Sequence, residues 1–108
     1  MTVVVVGGGP AGMMAALTAA DRGARGGCRV VLLERKEKLG KKLYLTGKGR
    51  CNVTNACGRE AFFDAVARNP RFLYSAFAAF DNRDMMALLE RLGVPLKVER
   101  GRRVFPVS

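Results

Sequence analysis

Six residues near the start of the chain, Gly7-Gly8-Gly9-Pro10-Ala11-Gly12, have the spacing G-x-G-x-x-G. This spacing suits the binding of a dinucleotide pyrophosphate. The first glycine allows a tight turn, the second lets backbone approach a phosphate, and the third lets a helix pack close to a sheet. A helix that starts here also offers free N–H groups and the positive end of its dipole to an anion. Glu34 follows 22 residues after Gly12. A carboxylate at that distance accepts hydrogen bonds from ribose hydroxyls and repels a 2′-phosphate. These residues favour FAD or NAD over NADP, and they do not choose between the two.

Such a site needs strands and a helix to hold it. Thr2–Val6 is a β-branched run that ends at the glycines, and it reads as a parallel strand buried on both faces. Pro10 to about Arg22 is rich in alanine and methionine and reads as a helix, ended by Gly23. Arg29–Glu34 is a second β-branched run. Strand, helix and strand in that order make a right-handed βαβ unit. The expected fold class is α/β, a Rossmann-like βαβ unit (1–34) followed by a cofactor loop (35–55), then helices and a β-hairpin (56–108). Helices are expected at Arg59–Ala67, from Pro70 through Phe80, and from Asn82 to Gly93. Asn82 is the candidate cap of the last of these. Leu96–Glu99 and Arg103–Val107 read as strands joined at Arg100-Gly101-Arg102.

The loop from Arg35 to Asn55 holds the second group of candidate ligands, with one helical turn expected near Gly40–Leu45. Its glycines permit close backbone approach. Lys41, Lys42, Lys48 and Arg50 can balance a pyrophosphate, and Thr46, Asn52 and Thr54 offer neutral donors and acceptors to a heterocycle. The stretch Gly40 through Asn55 also reads G-x-K-x-x-x-[ST]-G-x-G-R-C-N-x-T-N, and Val5 through Gly12 reads V-x-G-G-G-x-A-G. With Glu34 and the downstream run Arg103-Val104-Phe105-Pro106-Val107-Ser108, these motifs resemble the bacterial NAD(P)/FAD-dependent oxidoreductases of the BaiN and aminoacetone-oxidase type.

The resemblance spans the chain, and it tips the choice of cofactor to FAD. It implies the FAD-binding portion of a flavin-dependent oxidoreductase, with NAD(P)H as candidate electron donor and a small-molecule substrate that the residues do not name. Gly7, Gly9, Pro10, Ala11, Gly12 and Glu34 are the candidates for the ADP half. Arg35 and Lys36 are placed at the adenine end. Lys42, Thr46, Gly49, Arg50 and Asn52 are placed on the pyrophosphate-to-flavin side. No side chain stands out as an acid or base catalyst. Members of that family are several times longer, so an incomplete domain is expected, one that self-associates or pairs with a C-terminal portion. A truncated, non-catalytic cofactor-binding or interaction module is the alternative from another class.

A rival redox reading uses Cys51 and Cys57. Flavin disulfide reductases carry a C-x4-C pair after the second strand, whereas the spacing here is C-x5-C. One extra residue would carry the second sulfur about 100° round a helix. The third cysteine is Cys28, and an odd count without an export signal argues against a disulfide scaffold.

Composition limits the other classes. Histidine is absent, which removes the commonest general base and metal ligand, and no metal site is expected. No apolar run reaches the roughly 18 residues of a membrane span. The start of the chain lacks the basic leader of a signal peptide, so a cytoplasmic location is expected. The formal net charge is +10. Basic chains often meet nucleic acid, but no helix-turn-helix, zinc-finger or RNP pattern is present, and nucleic acid is not an expected partner.

Overall fold

A computed structural model describes residues 1–45 and 49–107. It divides into two compact units, 1–49 and 50–108.

In the first unit, strand β1 (Thr2–Val6) leads into helix α1 (Pro10–Gly23), which leads into strand β2 (Arg29–Leu33). The strands pair in parallel, with Thr2 opposite Arg29 and Val6 opposite Leu33. Pro10 occupies the first helical turn, where a missing N–H costs nothing. Between α1 and β2 the Gly23 carbonyl accepts from both Gly26 N and Cys28 N, which reverses the chain tightly. Helix α1 packs against both strands. Burial along β1 alternates: Val3 and Val5 are half-buried, while Val4 and Val6 are 54% and 82% exposed. The expected burial on both faces is therefore not met within this unit, because one helix covers one face of two strands. A short helix, α2 (Lys41–Leu45), follows where a single helical turn was expected.

The second unit is built on a three-stranded antiparallel sheet in the order β3 (Thr54–Asn55), β5 (Arg103–Pro106), β4 (Leu96–Glu99). The expected hairpin is present, with Glu99 opposite Arg103. Its central strand supplies the core, Val104 at 0% and Phe105 at 6% exposure. Strand β3 lies inside the segment expected to be loop. It holds only two residues, too few to show a period.

Three helical expectations are corrected. Helix α3 (Arg59–Asp64) stops short of Ala67, closed by Ala65 N on the carbonyls of Ala61 and Phe62. The helix expected from Pro70 is a 3-10 turn (Pro70–Leu73) that runs into α4 (Tyr74–Ala79). That change of pitch accompanies an aromatic cluster, in which Phe62 stacks on Phe77 at 4.3 Å and Phe63 meets Tyr74 at 4.7 Å. Helix α5 (Asn82–Arg91) is capped by Asp81, not Asn82. The Asp81 carboxylate accepts from Arg83 N and Asp84 N, and Asp84 returns a bond to Asp81 N, a reciprocal capping box. Asn82 instead turns inward and donates to the carbonyls of Asn55 at 2.6 Å and Cys57 at 2.9 Å.

Candidate nucleotide-binding site

The glycine loop connects β1 to α1. Gly7 has φ +101°, a conformation that side chains rarely adopt, and its N–H bonds to the Leu33 carbonyl. A β-carbon on Gly12 would collide with the Gly7 carbonyl oxygen, and Val5 Cγ1 lies beyond it. This is the close helix–strand approach expected from the third glycine. A β-carbon on Gly9 would meet nothing within 4 Å. The loop is open at Gly9 and closed at Gly12, as a ligand lying over the second glycine requires. The first bond inside the helix is Met13 N to Gly9 O, so the N–H groups of Ala11 and Gly12 precede the helical ladder.

Gly8 is the residue that sequence reasoning passed over. It is buried, its N–H donates to Glu34 Oε2 at 2.7 Å, and its carbonyl accepts from Gly40 N at 2.8 Å. A β-carbon there would stand 2.5 Å from Leu39 Cδ2 and 3.0 Å from Glu34 Oε2. The signal was the third glycine in a row, which the G-x-G-x-x-G pattern does not ask for. Gly8 thus joins the glycine loop to the end of β2 and to the segment before α2.

Glu34 directly follows β2. Its second oxygen, Oε1, accepts from Lys36 N at 3.0 Å. The backbone N–H groups of Lys36 and then Gly8 hold its carboxyl below the usual carboxylate value. The carboxylate therefore stays ionised and fixed, with lone pairs left over for a hydroxyl donor.

Two clefts meet at Glu34 and Arg35. One, of about 360 Å³, is lined by Gly8, Gly9, Pro10, Lys36, Gly40, Lys41, Lys42 and Leu45 together with that pair. The other, of about 450 Å³, adds Val6, Gly7 and Leu33 to the pair. The first carries the cations Lys36, Lys41 and Lys42, and the second is walled by Val6 and Leu33. Seven expected site residues are thereby brought together: Gly7, Gly9, Pro10, Glu34, Arg35, Lys36 and Lys42. Ala11 and Gly12 are the helix start beneath them. Thr46 lies outside the described residues.

Gly49, with φ +86°, lines neither cleft. Arg50 and Asn52 belong to the second unit and have partners there. Arg50 Nη2 donates to Glu99 Oε2 at 2.7 Å, and its guanidinium lies 4.0 Å from the Phe105 ring centre. Arg50, and then Lys97, hold the Glu99 carboxyl below its usual value. Asn52 Nδ2 donates to the carbonyls of Thr54 and Val104. Cys28, Cys51 and Cys57 are free thiols, so no disulfide joins the C-x5-C pair in this state. Among the described residues no group of three or more His, Cys, Asp or Glu could hold a metal, and no helix is long and apolar enough to cross a membrane.

Residues 1–108 match the family described as the HI0933-like protein Rossmann domain. A 3-dehydro-bile acid delta(4,6)-reductase from Clostridium scindens is 34% identical over 96% of this chain and 24% of its own length. A ribosomal RNA dihydrouridine synthase from Escherichia coli is 33% identical over 84% of this chain and 21% of its own. An NADH oxidase from Thermoanaerobacter brockii is 61% identical over 43 residues, 40% of this chain and 6% of that protein. The chain thus spans about a quarter or less of the curated relatives it matches.

Proposed function

The chain belongs to the HI0933-like Rossmann domain family, and from that premise we propose that its first unit holds the ADP half of FAD in a flavin-dependent oxidoreductase. The observation that carries this reading is the Glu34 carboxylate, fixed at 2.7 Å by Gly8 N beside a glycine loop that is open at Gly9. The residues fit the group. A ribose hydroxyl finds an ionised acceptor in Glu34. A pyrophosphate finds the N–H groups at the start of α1, with Lys36, Lys41 and Lys42 around the same cleft. A flat base finds the apolar wall of Val6 and Leu33, with Arg35 at its edge.

FAD, when bound, supplies the hydride or electron transfer, and the protein supplies position and electrostatics. In this reading Glu34 orients the ribose, and its charge disfavours a 2′-phosphate in the same place. The side chains of Arg50 and Asn52 are engaged within the second unit by Glu99, Phe105, Thr54 and Val104, so the ADP half is assigned to the first unit alone. NAD(P)H is the proposed electron donor, and the relatives named for an NADH oxidase and for reductive chemistry support a redox role. Those relatives are named for substrates as different as a bile acid and ribosomal RNA, which suits a shared unit that holds a cofactor.

The test is bound flavin. The purified chain, mixed with FAD and desalted, should keep a yellow flavin absorbance, and Gly9→Val should lose it. A chain that retains no flavin, or a Gly9→Val variant that retains as much as the parent, would overturn the assignment.

A further inference from the structure

Both peptides that flank Gly8 are bounded by glycines, so their own residues do little to hold their orientation. The first is fixed at both edges. Gly8 N donates to Glu34 Oε2 at 2.7 Å, and Gly7 O occupies the place that a β-carbon of Gly12 would take. The second has a single tie. Gly8 O accepts from Gly40 N at 2.8 Å, and among the described residues no other donor reaches it. Gly9 N lies on the opposite edge of that planar trans peptide and has no partner among the described residues. Gly9 is exposed and lines the cleft of about 360 Å³ together with Lys36, Lys41 and Lys42. A half-turn of the Gly8–Gly9 peptide would exchange its two edges. It would bring φ of Gly9 from −76° to a positive value, which glycine accepts and other residues resist. The carbonyl oxygen would then face the side that the N–H now faces. A phosphate meets a hydrogen-bond donor in the first state and a negative partial charge in the second.

We propose that Gly40 is a positioning residue for the pyrophosphate: its N–H locks the Gly8–Gly9 peptide in the orientation that offers Gly9 N–H to the anion. This role rests on the flavin reading, and it adds one backbone donor to those at the start of α1. The helix dipole and the lysines attract an anion whichever way this peptide faces. The lock decides the sign of the backbone group that the anion meets. Gly40 is buried and has φ +66°, so its own backbone geometry is one that side chains rarely adopt. Its carbonyl accepts from Tyr44 N at 3.2 Å. The residue that holds the glycine loop thus also begins α2, whose Lys41 and Lys42 line the same cleft. A glycine outside the G-x-G-x-x-G motif, 31 positions after Gly9, therefore sets how that motif presents itself.

Two substitutions separate the lock from simple crowding. Valine and asparagine at position 40 place the same β-carbon, 3.3 Å from Met13 Cε, the far end of a flexible side chain. Asparagine tolerates a left-handed φ, and valine does not. The full chain is titrated with ADP and, separately, with adenosine, and followed by amide NMR. In the parent, ADP should shift the Gly9 amide and adenosine should leave it in place. Gly40→Val should bind ADP about tenfold more weakly, the scale of one hydrogen bond to a charged group, with adenosine affinity changed by less than about twofold. Gly40→Asn should keep most of the ADP affinity. A merely structural role would weaken both ligands alike. If Gly40→Val does not fold, the Gly9 amide of the parent and the Gly40→Asn variant still decide. A Gly9 amide unmoved by bound ADP, equal losses of ADP and adenosine in Gly40→Val, or a large loss of ADP alone in Gly40→Asn would overturn the lock and leave the flavin reading standing. A parent that binds neither ligand would overturn both.

Discussion

A β-carbon at Gly12 would strike the Gly7 carbonyl, whereas one at Gly9 would project into open space. Two glycines of one motif therefore separate folding from binding. Gly12→Ala should destabilise the chain by about 1–3 kcal/mol through forced backbone displacement, read as a lower thermal midpoint. Gly9→Val should cost less than that, because Gly9 has φ −76° and ψ −178°, an ordinary extended geometry, and only its place as the cap of α1 disfavours valine. Equal losses of stability in the two variants would sink the distinction. Glu34→Gln tests the other half of the site. One amide oxygen can still accept a backbone N–H, but the NH2 group must then face the second donor, Gly8 N or Lys36 N. Amide exchange at Gly8 and Lys36 should speed up, and FAD affinity should fall by about tenfold or more. Retained protection at both amides would contradict the role of Glu34 as the tie between loop and strand. The motif glycines and Glu34 were legible because each has a fixed job at a fixed spacing. Gly8 was not, because its need arises from Leu39, a residue 31 positions away that only the fold brings beside it.

The start of α5 shows why elements are easier to read than their ends. Asp81 and Asn82 are both good capping types, and local sequence does not rank them. Tertiary structure does. Asn82 satisfies two carbonyls, Asn55 at the end of β3 and Cys57 just after it, so the cap passes to Asp81. Asn82→Ala should therefore cost more than loss of a surface residue. Two partly buried carbonyls lose their donor, a change of about 1–3 kcal/mol. Asn82→Asp should be worse, because a carboxylate would face the same two oxygens. A thermal midpoint unchanged in Asn82→Ala would show that water replaces the amide without loss. The broken helix at Pro70–Ala79 has a similar origin. Its apolar spacing is helical throughout, but the first turn is wound tighter, directly before the helix whose Tyr74 and Phe77 pack with Phe62 and Phe63. Strand β3 escaped notice because its two residues owe their conformation to β5.

Across the molecule, the βαβ order, the hairpin and the family were readable, since each rests on long periodic runs or dense motifs. The exposed face of β1 was not, because burial depends on what covers a strand and not on its own side chains. Composition also sets how stability responds to pH. Histidine is absent, so no side chain of ordinary pKa titrates between about pH 5 and 8. Three carboxyls are held below their usual values: Glu34 by the N–H groups of Lys36 and Gly8, Asp81 by Asp84 N, and Glu99 by Arg50. A carboxyl whose pKa is lower in the folded state than in the unfolded chain stabilises the fold above its unfolded value. That stabilisation disappears as pH falls through the folded value, because the unfolded chain takes up the proton first. All three therefore act in the same direction. The thermal midpoint should stay level from about pH 8 to 5 and fall below about pH 4, where protonation also raises a net charge already at +10. Glu99→Gln should flatten part of that fall, since its ion pair with Arg50 is the part removed. A midpoint that drops between pH 7 and 5, or an acid fall of the same depth in Glu99→Gln, would show that other groups govern the response.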